Sequence, residues 1–293
     1  MTAGGVPARA GVVGGGQMGA GVVHALLLAG SEVVVLERDE DSAQSAIARV
    51  QRSCDKSVER GKLDDAAEPM GRLSATTDAA DLADCGLVVE AVPEDETLKR
   101  ETLQRVEAVI AADAALASNT SSISLDALAT SLAHPERFFG LHFFNPVPAS
   151  KLVEIIIAGA TDGAWRERAV RWVGEGLGKT PVVVADSPGF ASSRLGVALG
   201  LEAIRMLESG VASAEDIDAA MSLGYGHPMG PLKLTDLVGL DTRLGIARYL
   251  ERELGPRFAP PQLLIDLVEQ GHHGRKTGRG FYDWTAEKQE KSS

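Results

Sequence analysis

The chain of 293 residues has only two cysteines, Cys54 and Cys85. They show no metal-ligand spacing, so a reduced, cytoplasmic protein with two buried or incidental thiols is the economical reading. Basic charge is also in deficit. Against 41 Asp and Glu stand 29 Lys and Arg, a formal net charge of −12. That balance argues against nucleic acid or an anionic membrane as a partner. Long hydrophobic runs are missing too, since none reaches the ~20 residues that a membrane-spanning helix needs. The opening MTAGGVPARAG has one Arg and no apolar core, which is not the pattern of a secretory signal. Residues 1–8 are expected to form a frayed tail. No internal repeat and no low-complexity segment is visible.

What is present is an ordinary globular composition, 44% hydrophobic and 24% charged. The length exceeds the usual size of one core, so two domains are expected. Ala10 to Val13 is a short apolar run leading directly into Gly14-Gly15-Gly16-Gln17-Met18-Gly19. A helical pattern follows to Ala29, and Gly30 caps it. Val33 to Leu36 then reads as a buried parallel strand ending at Glu37. Strand, G-x-G-x-x-G, helix, strand, acid is the order of a dinucleotide-binding unit. Gly14 allows the tight turn, Gly16 lets the backbone approach a pyrophosphate, and Gly19 allows close helix–strand packing. Gln17 and Met18 open the helix whose free N–H groups and dipole favour the phosphates. Glu37 is placed to accept from ribose hydroxyls and to repel a 2′-phosphate, which favours NAD over NADP. Arg38 follows at once and either weakens that discrimination or lies on the adenine face.

The alternation continues. Asp39 to Arg60 reads as a helix on which Ser53, Lys56 and Arg60 share one side; a solvated face is the commoner meaning of such a stripe. Gly86 to Val92 is a buried strand ending at Pro93-Glu94, and Thr97 to Ala112 is helical with Lys99 in its first turns. Ala115 to Ser118 is a strand that runs into Asn119-Thr120-Ser121-Ser122. In an open parallel sheet that edge is where ligands bind. A helix from Trp165 to Leu177 and a strand from Pro181 to Ala185 complete the pattern. The predicted fold is α/β, a Rossmann-type doubly wound, mostly parallel sheet over residues 1–186.

The stretch Leu141 to Ile157, LHFFNPVPASKLVEIII, organises the chemistry. Two apolar runs each carry one ionisable residue, His142 and Glu154, and Pro146 and Pro148 break the chain between them. If the runs fold back about Pro148, the two residues face each other. A carboxylate facing an imidazole fixes which ring nitrogen carries the proton and makes the other a better base. That arrangement can take a proton from an alcohol. The bland alternative is a half-buried strand histidine and a solvated edge glutamate. Beyond Asp186 the period is helical: Ser192–Leu207, Ala214–Leu223, Leu232–Leu254 and Pro261–Glu269. Residues 187–293 are expected to form an all-helical domain that serves as a substrate wall and dimer surface.

Taken with five further motifs, the chain resembles the short-chain L-3-hydroxyacyl-CoA dehydrogenases from about Ala10 to Trp284. The motifs are Ala117-Ser-Asn-Thr-Ser-Ser122, His142-Phe-Phe-Asn-Pro146, Asp186-Ser-Pro-Gly-Phe190, His227-Pro-Met-Gly-Pro231 and Gly274-Arg-Lys-Thr-Gly-Arg-Gly-Phe-Tyr282. The resemblance implies His142 as general base and Glu154 as its orienting partner. It implies that Ser121 hydrogen-bonds the substrate oxygen and that Asn145 lies against nicotinamide and substrate. Asn119, Glu94, Lys99 and Lys276 are implied for NAD, and Ser53, Arg60 and Ser121 for the CoA moiety of an acyl-CoA substrate. A cytoplasmic homodimer through the helical domain is implied as well. Ser193 stands where the family usually has Asn, a shorter group that keeps a donor and an acceptor. The departure leaves room for a different acyl chain. It also keeps open a dehydrogenase of another 3-hydroxy acid or of a carrier-bound hydroxyacyl group. A non-catalytic NAD-binding protein on the same scaffold is the remaining alternative, since fold alone does not give function.

Overall fold

A computed structural model describes residues 5–285. It divides into two compact units, Met1–Ser187 and Pro188–Ser293, one residue beyond the expected junction. The first unit carries eight strands: β1 (Arg9–Val13), β2 (Glu32–Leu36), β3 (Leu73–Thr76), β4 (Leu87–Glu90), β5 (Ala115–Ser118), β6 (Phe138–Phe143), β7 (Leu152–Ile157) and β8 (Thr180–Ala185). They form one sheet in the order β3-β2-β1-β4-β5-β6-β7-β8. Every pairing is parallel except β6 with β7. Strand order reverses between β1 and β4, which opens the crevice where such sheets bind ligands.

Local sequence accounts for these elements. Val33–Leu36, Leu87–Val89 and Ala115–Ala117 are buried throughout, as strands covered by helices on both faces must be. The intervening helices are α1 (Gln17–Leu28), α2 (Glu40–Glu59), α3 (Ala67–Met70), α4 (Glu96–Glu107), α5 (Leu125–Ala129) and α6 (Gly163–Arg171). Asp39, Asp95 and Ser124 cap α2, α4 and α5 by accepting from Ser42, Leu98 and Ala127 N–H groups, each satisfying an otherwise orphaned donor. The helix expected to run to Leu177 instead ends at Arg171 and passes into a π-turn over Trp172–Gly176.

The second unit contains α7 (Ser192–Glu208), α8 (Ala214–Gly224), α9 (Pro231–Val238), α10 (Leu240–Leu254) and α11 (Gln262–Glu269). Its own core includes Leu201, Ile204, Leu232, Leu244, Leu250 and Leu264. The described residues thus form an α/β domain followed by a helical one.

Three expectations need correction. Residues 1–4 lie outside the described residues, but 5–8 are not frayed. Val6 is buried in the main core, and the Ser31 hydroxyl donates to the Pro7 carbonyl at 2.8 Å. One apolar residue ahead of the edge of β1 anchors the segment. Leu232–Leu254 is two helices, not one. Gly239 has φ of +107°, which no helix accommodates, and it separates α9 from α10. From Gln270 to Trp284 the chain is not helical. Gly274 bridges Arg279 and Arg279 bridges Asp283. The buried Asp236 carboxylate pins this turn by accepting from Phe281 N, Tyr282 N and Trp284 Nε1 at 2.7–2.9 Å.

Candidate active site

The glycine loop lies at the carboxyl end of β1, where the strand order reverses. Gly14 has φ of +91°, and a Cβ there would lie 3.0 Å from the Ala91 carbonyl oxygen. A Cβ on Gly19 would fall 1.8 Å from the Gly14 oxygen, so this glycine sets how closely α1 approaches the strand. At Gly16 a Cβ meets nothing within 4 Å. The backbone there is open to an approaching group. Alone among the helices that follow β1, β2, β4 and β5, α1 has no side-chain cap. Its first-turn N–H groups and positive dipole end are therefore available to an anion. Open backbone at Gly16 and an uncapped helix start fit a dinucleotide pyrophosphate. Gln17 and Met18 start that helix; Gln17 Nε2 donates to Asn145 Oδ1 at 3.1 Å, and Met18 packs on the core.

Two residues buttress the loop without having been read from the sequence. A Cβ on Gly15 would lie 2.3 Å from Ala46 Cβ, so the middle glycine lets α2 pack against the turn. Arg49, also on α2, donates to the Gly15 carbonyl at 3.1 Å. Glu37 stands just past β2, and its Oε1 accepts from Gly15 N–H at 2.6 Å. The acid is thus fixed beside the loop with its side chain partly exposed. Arg38 is exposed and pairs with Asp39 at 2.9 Å.

The antiparallel pairing of β6 and β7 sets His142 directly opposite Glu154. Nδ1 of His142 lies 2.8 Å from Glu154 Oε2. His142 is 6% and Glu154 1% exposed, so the glutamate is not a solvated edge residue. A carboxylate only accepts, so it holds the ring proton on Nδ1 and leaves Nε2 as the basic atom. The Phe144 ring packs against the imidazole at 4.4 Å between centroids. The turn beyond is held by Lys179, whose ammonium donates to the Val147 and Ser150 carbonyls at 2.8 and 2.6 Å.

At the end of β5, Glu94 gathers the small polar residues. Its Oε1 accepts from Thr120 Oγ1 at 2.6 Å, from Ser121 N and Oγ at 2.8 and 3.1 Å, and from Ser122 N and Oγ at 3.1 and 3.2 Å. Burial alone would raise the Glu94 carboxyl. The Lys99 ammonium and the donors of Thr120 and Ser121 outweigh it, so the carboxyl lies below its usual range. Asn119 Oδ1 accepts from Phe143 N–H at 2.9 Å, bracing β5 to β6 beside His142.

Lys99 is enclosed by acceptors. It is 1% exposed, and its Nζ donates to Glu90 Oε1 at 2.7 Å and to the Val92 carbonyl at 3.2 Å, with Glu94 Oε2 at 3.3 Å. Two acceptors take hydrogen bonds from the ammonium, and the Glu94 carboxylate pairs with its charge. The side chain is a buried strut between the end of β4 and the loop after it. Asn119 likewise spends its carbonyl on the β6 backbone. Glu90 was missed, although a carboxylate ending the buried run Leu-Val-Val-Glu is a signal in itself, because a buried charge requires a partner.

The remaining expected residues stand elsewhere. Ser53 is mid-way along α2, with Oγ back-bonded to the Arg49 carbonyl at 3.2 Å, and Arg60 is the exposed residue that closes that helix. Ser193 is in the first turn of α7 and Lys276 in the turn after α11, both in the second unit. Lys276 Nζ pairs with Asp241 at 2.6 Å. Burial would raise the Asp241 carboxyl, but hydrogen bonds from Lys276 and the Thr242 backbone bring it below its usual range.

Comparison with known proteins places these features in context. Residues 9–187 match the family model described as 3-hydroxyacyl-CoA dehydrogenase, NAD binding domain, and residues 189–284 match the C-terminal domain of the same family. A 3-hydroxybutyryl-CoA dehydrogenase of Mycobacterium tuberculosis is 44% identical over 280 residues, covering 94% of this chain and 98% of that protein. A probable 3-hydroxybutyryl-CoA dehydrogenase of Deinococcus radiodurans is 43% identical over 276 residues, with 94% and 99% covered. The crystal structure of FadB2 from M. tuberculosis superposes with a TM-score of 0.91 at 44% identity, over 95% of this chain and 99% of that one. The (S)-3-hydroxybutyryl-CoA dehydrogenase PaaH1 from Ralstonia eutropha gives 0.89 at 37% identity, over 95% and 99%.

Proposed function

The chain belongs to the 3-hydroxyacyl-CoA dehydrogenase family, and from that premise we propose that it oxidises a short-chain L-3-hydroxyacyl-CoA, such as 3-hydroxybutyryl-CoA, to the 3-ketoacyl-CoA with NAD. The observation that carries the reading is the buried His142–Glu154 pair, 2.8 Å apart. His142 Nε2 takes the proton of the substrate 3-hydroxyl. Glu154 holds the ring in the required tautomer and stabilises the imidazolium that forms. NAD, when bound, supplies the acceptor for the hydride released from C3. Gly14, Gly16 and Gly19 shape the loop for its pyrophosphate, with Gln17 and Met18 at the helix start, and Glu37 faces the ribose. Ser121 and Asn145 contact the reacting oxygen and its surroundings. Ser193 is assigned to the substrate, Lys276 to the cofactor, and Ser53 and Arg60 to CoA, on the family resemblance.

Exposed apolar side chains on the helical unit, Leu195, Leu223 and Tyr225 at 71, 86 and 79% exposure, support a homodimer formed through that unit. Among the described residues no helix is long and apolar enough to cross a membrane, and a cytoplasmic setting is part of the proposal.

Oxidation of NADH with acetoacetyl-CoA, followed by absorbance, tests the reading, with NADPH as control and longer 3-ketoacyl-CoAs to set the chain length. His142→Gln is expected to lower turnover roughly 10²–10⁴-fold, as for a lost general base. A variant with near wild-type turnover would remove His142 from this role.

A further inference from the structure

The Ser121 hydroxyl donates to Glu94, and Glu94 is ion-paired with Lys99, one half of a buried pair of full charges whose other half, Glu90, the proposed chemistry does not call on. Glu90 is the last residue of β4 and 0% exposed, and Lys99, from the first turn of α4, lies against it. Three donors converge on the Glu90 carboxylate. Oε1 accepts from Lys99 Nζ and from Val92 N–H, both at 2.7 Å, and Oε2 accepts from Ser118 Oγ at 2.6 Å. Ser118 Oγ in turn accepts from Thr120 N–H at 3.2 Å.

Stability is a weak reason to retain such a pair, because a buried ion pair often does no better than apolar side chains of the same volume. Its geometry offers another reason. Glu94 is on the loop after β4 and its side chain is 36% exposed. Left to solvent, a glutamate there would sample several rotamers. Lys99 holds its Oε2, and Oε1 is then presented to residues 120–122. The Ser121 backbone N–H donates to that Oε1 at 2.8 Å, which fixes the loop, and the hydroxyl, 3.1 Å from the same oxygen, is thereby kept in one place with a proton it can turn to the substrate oxygen.

We propose that Glu90 is a positioning residue for Ser121: it fixes Lys99, Lys99 fixes Glu94, and Glu94 sets the backbone and hydroxyl of Ser121. The proposal rests on the reading of Ser121 as a contact to the substrate oxygen. Glu90 touches neither substrate nor cofactor and acts at two removes. Loss of its charge loosens the serine loop, and a misplaced contact lowers turnover while cofactor binding at the glycine loop is retained.

The test compares Glu90→Gln, Ser121→Ala and the two combined, in the full chain. Glu90→Gln is expected to lower kcat roughly 10–100-fold, the scale of a reacting group displaced by about 1 Å. In the Ser121→Ala background the same change should alter kcat less than about twofold, because residues that act as one unit are not additive. An undiminished effect in that background would overturn the proposal. Glu90→Gln with Lys99→Met removes both charges together. It should recover thermal stability without recovering kcat, and recovery of both would reduce Glu90 to a structural role. Amide exchange at Ser121 and Ser122, measured without substrate, should accelerate about tenfold in Glu90→Gln; unchanged exchange would overturn the positioning chain. Accelerated exchange in a protein whose wild type turns over no 3-ketoacyl-CoA would overturn the functional reading and leave the chain of contacts intact.

Discussion

Replacing Glu154 by glutamine isolates the contribution of the carboxylate charge. The substitution keeps the side chain's shape and its place on β7 opposite His142. It changes two things. With charge centres about 4 Å apart and an effective dielectric near ~20, the carboxylate stabilises the imidazolium formed on proton transfer by about 4 kcal/mol. A neutral acceptor retains roughly half of such an interaction, since charge-assisted hydrogen bonds are about twice as strong as neutral ones. The net loss of about 2 kcal/mol is roughly a 30-fold fall in rate. The second effect is larger in principle. The new amide can donate to Nδ1, which would move the ring proton to Nε2, the atom that must act as base. An equivalent inversion in a serine protease triad lowers kcat about 10⁴-fold. Glu154→Gln should therefore reduce kcat between about 30-fold and 10⁴-fold. The affinity for NADH, followed by fluorescence titration, should be unchanged. The assay is NADH oxidation with acetoacetyl-CoA at saturation. A well-folded variant within about threefold of wild type, less than ~1 kcal/mol in the barrier, would refute the assignment of Glu154.

Two further expectations follow from the packing. Gly19→Ala places a methyl 1.8 Å from the Gly14 oxygen, backbone against backbone. It should lower stability by about 1–3 kcal/mol in chemical denaturation and weaken NADH binding; wild-type affinity would show that the loop tolerates the shift. His24, buried on α1 with Nε2 2.9 Å from Ser57 Oγ, has its pKa lowered to about 4 by burial, then by Lys179 and Lys62. Above the unfolded value near 6.5 the ring is neutral in both states. As pH falls from 6.5 to about 4, only the unfolded chain gains the proton, so stability declines through that window and then levels. The wild-type loss relative to His24→Gln should be on the order of 3 kcal/mol at most. A difference between the two that does not vary with pH would refute the account.

Much of the first unit was legible because short apolar runs and glycine punctuation are strong local signals. The strand–loop–helix at Ala10 to Leu28 and the pairing of His142 with Glu154 follow from patterns a few residues long. The second depended on one long-range fact, an antiparallel fold-back, which Pro146 and Pro148 announce. What was not legible is three-dimensional. Val6 reads as part of a tail because one apolar residue carries no period. Gly239 reads as tolerable inside a helix until its positive φ is seen. Lys99 reads as an available cation, and only the convergence of Glu90, Glu94 and the Val92 carbonyl shows it to be enclosed. Arg49 and Ala46 support the loop from a helix more than thirty residues away.

The two members of the proposed dyad are neighbours across a sheet ladder, not along one element. Rotating or tilting the pair of strands carries both side chains together and leaves their separation unchanged. Slipping one strand by a single residue sends one side chain to the opposite face. The quantity that evolution and engineering must conserve here is therefore parity. Point substitutions along Phe138–Phe143 and Leu152–Ile157 are graded perturbations, whereas a one-residue insertion or deletion within either strand separates acid from base outright. Length variation in this region belongs in the turn between Phe144 and Lys151, where the chain can absorb it without changing which faces meet.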